Sequence, residues 1–372
     1  MTQRMTENPA AQLEQEKINV LHQIEEVTEA LPGFTPQGEP IQLSGGLLNF
    51  VWRINGKPDS TPESLIAKWA PPVIASAPGV QLDPHRILIE AKVLEAFGPH
   101  GQLAELVSNT IRPPYLIDLD PSLHFLLMED VCDCPDLSKW VQNPQDIEDA
   151  AVIGKNLGDF IGRLHHFSTL HPEFGSVFSN KAIQQTRLNV QYSKVFDYAK
   201  KARLKNASQI GSTALAFGEL LQTPGTVLIM GDLWLPSIFV TGDKLRIIDW
   251  ELSHYGRPSQ DVGHLAAHLW MYQHRYPDSQ TAENSRIIWE NFLTAYRAVL
   301  ADRYKQVFGN EGIQESAVHF GCEVLTRTVG SFQSGFLYEG LRWDHPAVQE
   351  AASIAAKHIL DPFAQPTFKE LI

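Results

Sequence analysis

Apolar positions change period along this chain, and the change divides it. Over residues 11–31, Leu13, Val20, Leu21, Ile24, Val27 and Leu31 recur at helical spacing until Pro32-Gly33, which predicts an amphipathic helix at the start. "PIQLSGGLLNFVWRI" then reads as a short strand, a Gly45-Gly46 turn and a second strand from Phe50 to Ile54. The polar "NGKPDSTPES" is a loop, and "SLIAKWA" is a third strand closed by Pro71-Pro72. "HRILIEAKVLEAFG" returns to helical spacing, with Ile87, Ala91 and Leu94 on one face and Gly98 at its end. "PPYLIDLD" and "LHFLLMEDV" predict two more strands, turned at Asp120-Pro121.

Beyond this point the helical period dominates. "IEDAAVIGKNLGDFIGRLHHF" predicts one helix, and others are expected over roughly 283–306, 314–341 and 346–360. The exception is 226–249, where "TVLIM", "SIFV" and "LRIID" read as strands. A small strand-rich part followed by a larger helical part defines an α+β arrangement.

Composition adds limits. At 43% apolar and 20% charged residues the chain has an ordinary globular make-up. No run reaches the roughly 18 apolar residues of a membrane span, and the start lacks the basic-then-apolar pattern of a signal peptide, so a cytoplasmic protein is expected. The three cysteines, Cys132, Cys134 and Cys322, have no zinc spacing and are expected as reduced thiols. A net charge of −13 without a Lys/Arg cluster argues against nucleic acid and anionic membranes as partners. It is compatible with a small cationic substrate. A monomer is the default.

The candidate chemistry is acidic. "SIFVTGDKLRIIDW" has the grammar of a β-hairpin, which brings its ends together. Asp232, before the outgoing strand, and Asp249, closing the returning one, are therefore expected to be neighbours. Paired carboxylates at strand ends suit Mg²⁺ and phosphate, and in an extended "DWE" Glu251 would point the same way as Asp249. Read alone, the Asp of "GD" is more often a turn or capping residue than a catalyst. Lys68 breaks an apolar strand; it is either a solvated edge lysine or an inward one needing an anion, such as Glu90 or a nucleotide phosphate. "SGGLLN" spells both a hairpin turn and a loop whose N–H groups approach phosphates.

The order of these features, with a glycine-rich hairpin, strand lysine, helix glutamate, "MEDV", "GD" and "IDW", resembles the aminoglycoside phosphotransferase and choline-kinase-like family of small-molecule kinases. The resemblance covers roughly residues 40–340. Within the family it is nearest to the fungal 4-hydroxytryptamine kinases and, more distantly, the methylthioribose kinases. It implies a bilobal protein-kinase-like fold. The implied parts are a helix over 1–33, a small β-rich nucleotide-binding N-lobe over 34–127, a hinge over 128–133 and a larger, mainly helical C-lobe over 134–372.

Carried over residue by residue, Asp232 becomes the catalytic aspartate and Asp249 the principal Mg²⁺ ligand, with Glu251 and Ser237 completing the metal site. Lys68, steadied by Glu90, contacts ATP phosphates. Gly45, Gly46 and Asn49 cover them, and the backbone of Met128, Glu129 and Asp130 receives adenine. The implied reaction moves the γ-phosphate of ATP to a hydroxyl of a small acceptor. A hydroxylated aromatic amine of the 4-hydroxytryptamine type comes first, then a sugar, methylthioribose or an aminoglycoside. The alternative class is a nucleotide-binding module that has lost transfer.

Three residues depart from the family loop. Met230 stands where a His is usual, Ser237 replaces an Asn, and Pro236 stands where Gly is common. His165 is expected to be structural. His254, His264 and His268 show no metal spacing with a third ligand. Trp234, Trp250, Tyr255 and Trp270 are either core residues or walls of an acceptor pocket.

Overall fold

The computed structural model describes residues 9–364 apart from 45, 132 and 144–146, so Gly45 lies outside the described residues. The chain divides into two compact units. One comprises Met1–Gly101 with Pro114–Cys132, the other Gln102–Pro113 with Asp133–Ile372. They are the β-rich and the mainly helical parts of an α+β, kinase-like bilobal fold.

In the first unit five strands lie in the order Ile41–Gln42, Phe50–Asn55, Ser64–Trp69, Phe125–Glu129, Leu116–Asp120, each antiparallel to its neighbour. Alternation along Ser64–Trp69 sends Leu65, Ala67 and Trp69 to one face. There they share a core with Trp52, Ile54, Phe125 and Leu127, and with Val20 and Ile24 of the Pro9–Ala30 helix. Burying a large apolar side chain in this way contributes about 1.5–3 kcal/mol relative to exposure. The opposite face of the strand carries Ile66 and Lys68.

In the second unit the Ile147–Thr169 helix packs along Gln280–Leu300. Pro258–Arg275 packs on Gly312–Thr328, and that helix on Pro346–Leu360. Gly263 makes the second packing possible, because a Cβ there would lie 2.5 Å from the Ser316 carbonyl oxygen. The predicted hairpin is present, with Ile238 opposite Ile247 and Thr241 opposite Lys244, turned at Gly242 with φ of 59°.

Several boundaries differ from expectation. The helix expected over 314–341 spans Gly312–Thr328; Gly335 and Gly340 follow with positive φ, which breaks the helical path. The one expected over 283–306 spans Gln280–Leu300, capped by Ser279 and ended at Ala301. Lys181–Val190, Ala207–Leu220 and Pro258–Arg275 are helices that the apolar pattern did not announce. Cys134, expected as a thiol, is disulfide-bonded; Cys322 is free and buried, and Cys132 lies outside the described residues. No described helix is long and apolar enough to cross a membrane.

Candidate functional site

The residues singled out above fall into two groups, one in each unit. In the first, Ser64–Trp69 is a central strand, so Lys68 is not an edge lysine: it pairs across to Val51 and Leu126 and is 1% exposed. Its Nζ lies 2.8 and 3.1 Å from the two carboxylate oxygens of Glu90, on the Arg86–Phe97 helix, and Glu90 is equally buried. Charges so far from water persist only when paired. Gly46 and Asn49 lie in the loop between the first two strands. The Asn49 Oδ1 accepts from Arg86 at 2.9 Å, which ties the end of that loop to the same helix.

The backbone expected to receive adenine closes a strand. Met128 and Glu129 belong to the Phe125–Glu129 strand and face Ile66 and Leu65 across the ladder. The Glu129 amide donates to the Tyr115 carbonyl at 2.9 Å, so it is already used. Asp130 is held by Arg53 at 2.5 Å and by the Ser64 hydroxyl at 2.7 Å.

In the second unit the Met230–Asp232 turn is built from its backbone. Gly231 has φ of 82°, and a Cβ there would meet the Leu252 carbonyl oxygen at 2.4 Å. The amides of Met230 and Gly231 each donate at 2.8 Å to one carboxylate oxygen of Asp261, which is fully buried. The same Asp261 carboxylate meets His165 Nε2 at 3.3 Å, and His165 Nδ1 lies 2.9 Å from the Tyr296 hydroxyl.

Asp232 sits on this turn with its carboxylate one-fifth exposed. Arg187, from the Lys181–Val190 helix, donates to Oδ1 at 2.6 Å, and His264 Nε2 lies 3.3 Å from the same oxygen. Oδ2 takes no hydrogen bond among the described residues. Burial raises the pKa of Asp232 above the ordinary aspartate value, opposed by the charge of Arg187.

Asp249 follows the hairpin. Its φ of 63° and ψ of 56° are left-handed, a conformation that costs a non-glycine residue on the order of 1–3 kcal/mol and concentrates at functional sites. The Ile248 amide donates to the Ser237 carbonyl, and the Ser237 hydroxyl points at Asp249 Oδ2 over 3.5 Å while accepting from Trp234 Nε1 at 2.6 Å. The expectation of an extended "DWE" fails. Trp250–Leu252 is a 3-10 turn, and Glu251 on it is buried.

Behind Asp232 lies a buried polar cluster that the sequence did not reveal. Glu323 accepts from Arg327 at 2.7 Å, His268 at 3.1 Å and Gln191 at 2.7 Å. The Arg327 guanidinium rests over Trp234, Phe332 and Phe336, at 4.7, 5.5 and 5.2 Å from the ring centroids. His264, His268 and Glu323 offer ligand atoms within 4.8 Å of one another, so the expectation that these histidines lack a third partner is corrected. Burial pushes the pKa values of His264 and His268 down and that of His319 to about 3. Burial opposes ionisation of Glu323, but His264, Arg327 and His268 outweigh it and hold its pKa well below the usual range.

Of the four aromatic candidates, only Trp234 joins this group. Trp250 is fully buried against Phe160, with its indole N–H on the Ile247 carbonyl. Tyr255 gives its hydroxyl to the Ser168 carbonyl. Trp270 is two residues from His268 and so about 200° around the helix, stacked on His274.

With fold and geometry in place, comparison with known proteins gives a consistent answer. The chain belongs to the phosphotransferase enzyme family, which matches residues 41–300. It is 25% identical to 4-hydroxytryptamine kinase of Psilocybe cyanescens over 267 residues, 68% of this chain and 73% of that one. It is 24% identical to methylthioribose kinase of Geobacillus sp. (strain WCH70) over 338 residues, 80% of each. The amicoumacin kinase hAmiN, solved in complex with AMP-PNP, Ca²⁺ and Ami, aligns over 92% of this chain and 95% of its own at 14% identity, with a TM-score of 0.49. The protein is a small-molecule kinase.

Proposed function

We propose that this kinase moves the γ-phosphoryl group of ATP to a hydroxyl of a small acceptor, with Asp232 receiving or orienting the hydroxyl proton. The observation that carries the reading is the asymmetry of the Asp232 carboxylate. Oδ1 is engaged by Arg187 and faces His264, whereas Oδ2 has no partner among the described residues. A carboxylate so held can accept one hydrogen bond from an incoming hydroxyl in a fixed direction, and phosphoryl transfer depends mainly on such positioning.

Asp249 and Ser237 are the proposed metal-binding residues. Their oxygen donors suit a hard cation such as Mg²⁺. Bound there, the ion would neutralise charge on the phosphoryl oxygens. Lys68 is assigned to the nucleotide phosphates, held ready by Glu90. Glu251 remains in the proposal only as a buried carboxyl group two residues from Asp249.

For the acceptor, the aromatic group of Trp234, Phe332 and Phe336 favours a ring, in keeping with the 4-hydroxytryptamine kinase relative. Arg327 already takes the cation's place over these rings, so the acceptor's ammonium is expected elsewhere. A second reading is a hydroxyl-rich acceptor of the methylthioribose type. It is favoured by Arg187 Nη1, a buried donor without a hydrogen-bond partner among the described residues.

The test is an ATP-consumption screen against 4-hydroxytryptamine, choline, methylthioribose and aminoglycosides, followed by detection of the phosphorylated product. Transfer that depends on Asp232 supports the proposal. Stabilisation by ATP and Mg²⁺ without product from any acceptor, even in a single turnover, sinks it in favour of a binding module.

A further inference from the structure

His264 does not meet Asp232 alone. Its other ring nitrogen, Nδ1, lies 3.0 Å from His319 Nε2, and His319 Nδ1 lies 2.7 Å from the Tyr192 hydroxyl. Tyr192, His319 and His264 are all buried, at 1%, 0% and 1% exposure. Three elements supply them: the Tyr192–Lys194 turn, the Gly312–Thr328 helix and the Pro258–Arg275 helix.

We propose that Tyr192, His319 and His264 form a hydrogen-bond chain with one allowed direction, which leaves His264 Nε2 facing Asp232 Oδ1 at 3.3 Å and Glu323 Oε1 at 3.9 Å, off the line of a direct hydrogen bond, and so biases Asp232 to present Oδ2 to the acceptor. The proposal rests on the reading of Asp232 given above. Its direction follows from the two ends. An ionised carboxylate only accepts, so the His264 nitrogen facing it carries hydrogen. In a neutral ring Nδ1 is then the acceptor, and His319 must donate to it from Nε2. His319 Nδ1 accepts in turn, and the phenol, the better donor of that last pair, supplies the hydrogen. Each of the three groups has one arrangement, and each arrangement fixes the next.

The charges around His264 fit neutral rings. Asp232 and Glu323 face it from the Met230–Asp232 turn and from the Gly312–Thr328 helix, and Arg187 and Arg327 balance them. His268 on its own helix and His319 opposite complete the surroundings. Two carboxylates already answer two guanidiniums. A divalent ion among His264, His268 and Glu323 would leave excess positive charge away from water. It would also need the His264 lone pair where the chain puts a hydrogen.

These are positioning residues, and the test separates that role from mere packing. His264→Leu should lower kcat roughly ten- to hundredfold, with KM for ATP and acceptor changed less than about twofold, as expected for a misplaced reacting group. His264→Gln, whose amide N–H can take the place of Nε2–H, should restore most of the loss. Tyr192→Phe removes the far end of the chain without touching Asp232 and should lower kcat by less. With ¹⁵N-labelled histidine, His264 in the native protein should show hydrogen on Nε2, and Tyr192→Phe should mix the two tautomers. Hydrogen on Nδ1 in the native protein, the tautomer a bound metal would require, overturns the proposal. So does an unchanged kcat in His264→Leu. Full turnover in Asp232→Asn is a different failure: it removes the functional reading and the positioning role with it, while the tautomer spectrum stands unaffected.

Discussion

Arg187 donates to Asp232 Oδ1 at 2.6 Å from a helix 45 residues upstream. The pair joins a buried cation to a carboxylate whose pKa burial has raised, and the Arg187 charge works against that rise. Removing the cation should therefore raise the pKa of Asp232 further. In the proposed reaction the ionised carboxylate is the active form. The acid limb of the kcat/KM profile should accordingly lie above the ordinary aspartate value, and Arg187→Met should move it to higher pH. A limb that stays in place, or moves down, contradicts the coupling.

Asp261 holds the Met230–Asp232 turn by accepting both the Met230 and the Gly231 amides. Asparagine has the same shape but presents an NH₂ to one of those amides. A buried donor left facing a donor costs about 1–3 kcal/mol. Asp261→Asn should lose stability on that scale, visible as a lower Tm, and should lose kcat more than its nucleotide affinity. An unchanged kcat would show that the turn keeps its shape without Asp261.

How much of this was readable from one sequence depends on what each residue answers to. The first-unit strands follow strict alternation, and the hairpin from Ile238 to Ile247 is marked by Thr-Gly-Asp-Lys, so both were legible. Lys68 could be found because a charge inside "LIAKWA" has no apolar reason to be there. Glu323 and Arg327 were hidden for the opposite reason: spaced four apart on a helix, they spell an ordinary surface pair. In the fold both face inward, nearly buried, beside an aromatic group. His264 and His268 carried a weak signal, since they share a helical face with Leu265 and lie between buried residues. Arg187 had none, because its helix has too few apolar residues to show a period. Polar residues that pair only with one another leave no trace in hydrophobic spacing.

The Lys68–Glu90 pair makes a thermodynamic prediction independent of turnover. Both charges are about 1% exposed, and removing one partner of such a pair typically costs about 3–5 kcal/mol. Lys68→Met should therefore destabilise strongly, whereas Lys68→Met with Glu90→Leu should recover much of the loss. Nucleotide binding should fail in both variants. Recovery of ATP affinity in the double variant would remove Lys68 from the phosphate role, and equal stability of the single and double variants would deny the coupling.

Buried histidines set the response to acid. Burial lowers the pKa of His319 to about 3 and those of His254 and His358 to about 4. Each lies below the 6.5 of an ordinary imidazole, so between that value and the folded one the unfolded chain binds more protons. Stability then rises with pH through this window and is lost as pH falls from about 6.5 toward 4, at about 1.4 kcal/mol per pH unit for each fully contributing histidine. Asp232 acts in the opposite sense, because its raised pKa gives the folded state the extra proton just above the aspartate range. The histidines outnumber it. His358 is the residue to test, since it packs on Phe320 with Nδ1 at the Ile354 carbonyl and touches none of the proposed machinery. Denaturant unfolding of His358→Leu from pH 7 to pH 5 should show a shallower loss than the native protein, by about one histidine's share, with kcat unchanged. Parallel curves for the two proteins would mean that His358 keeps an ordinary pKa.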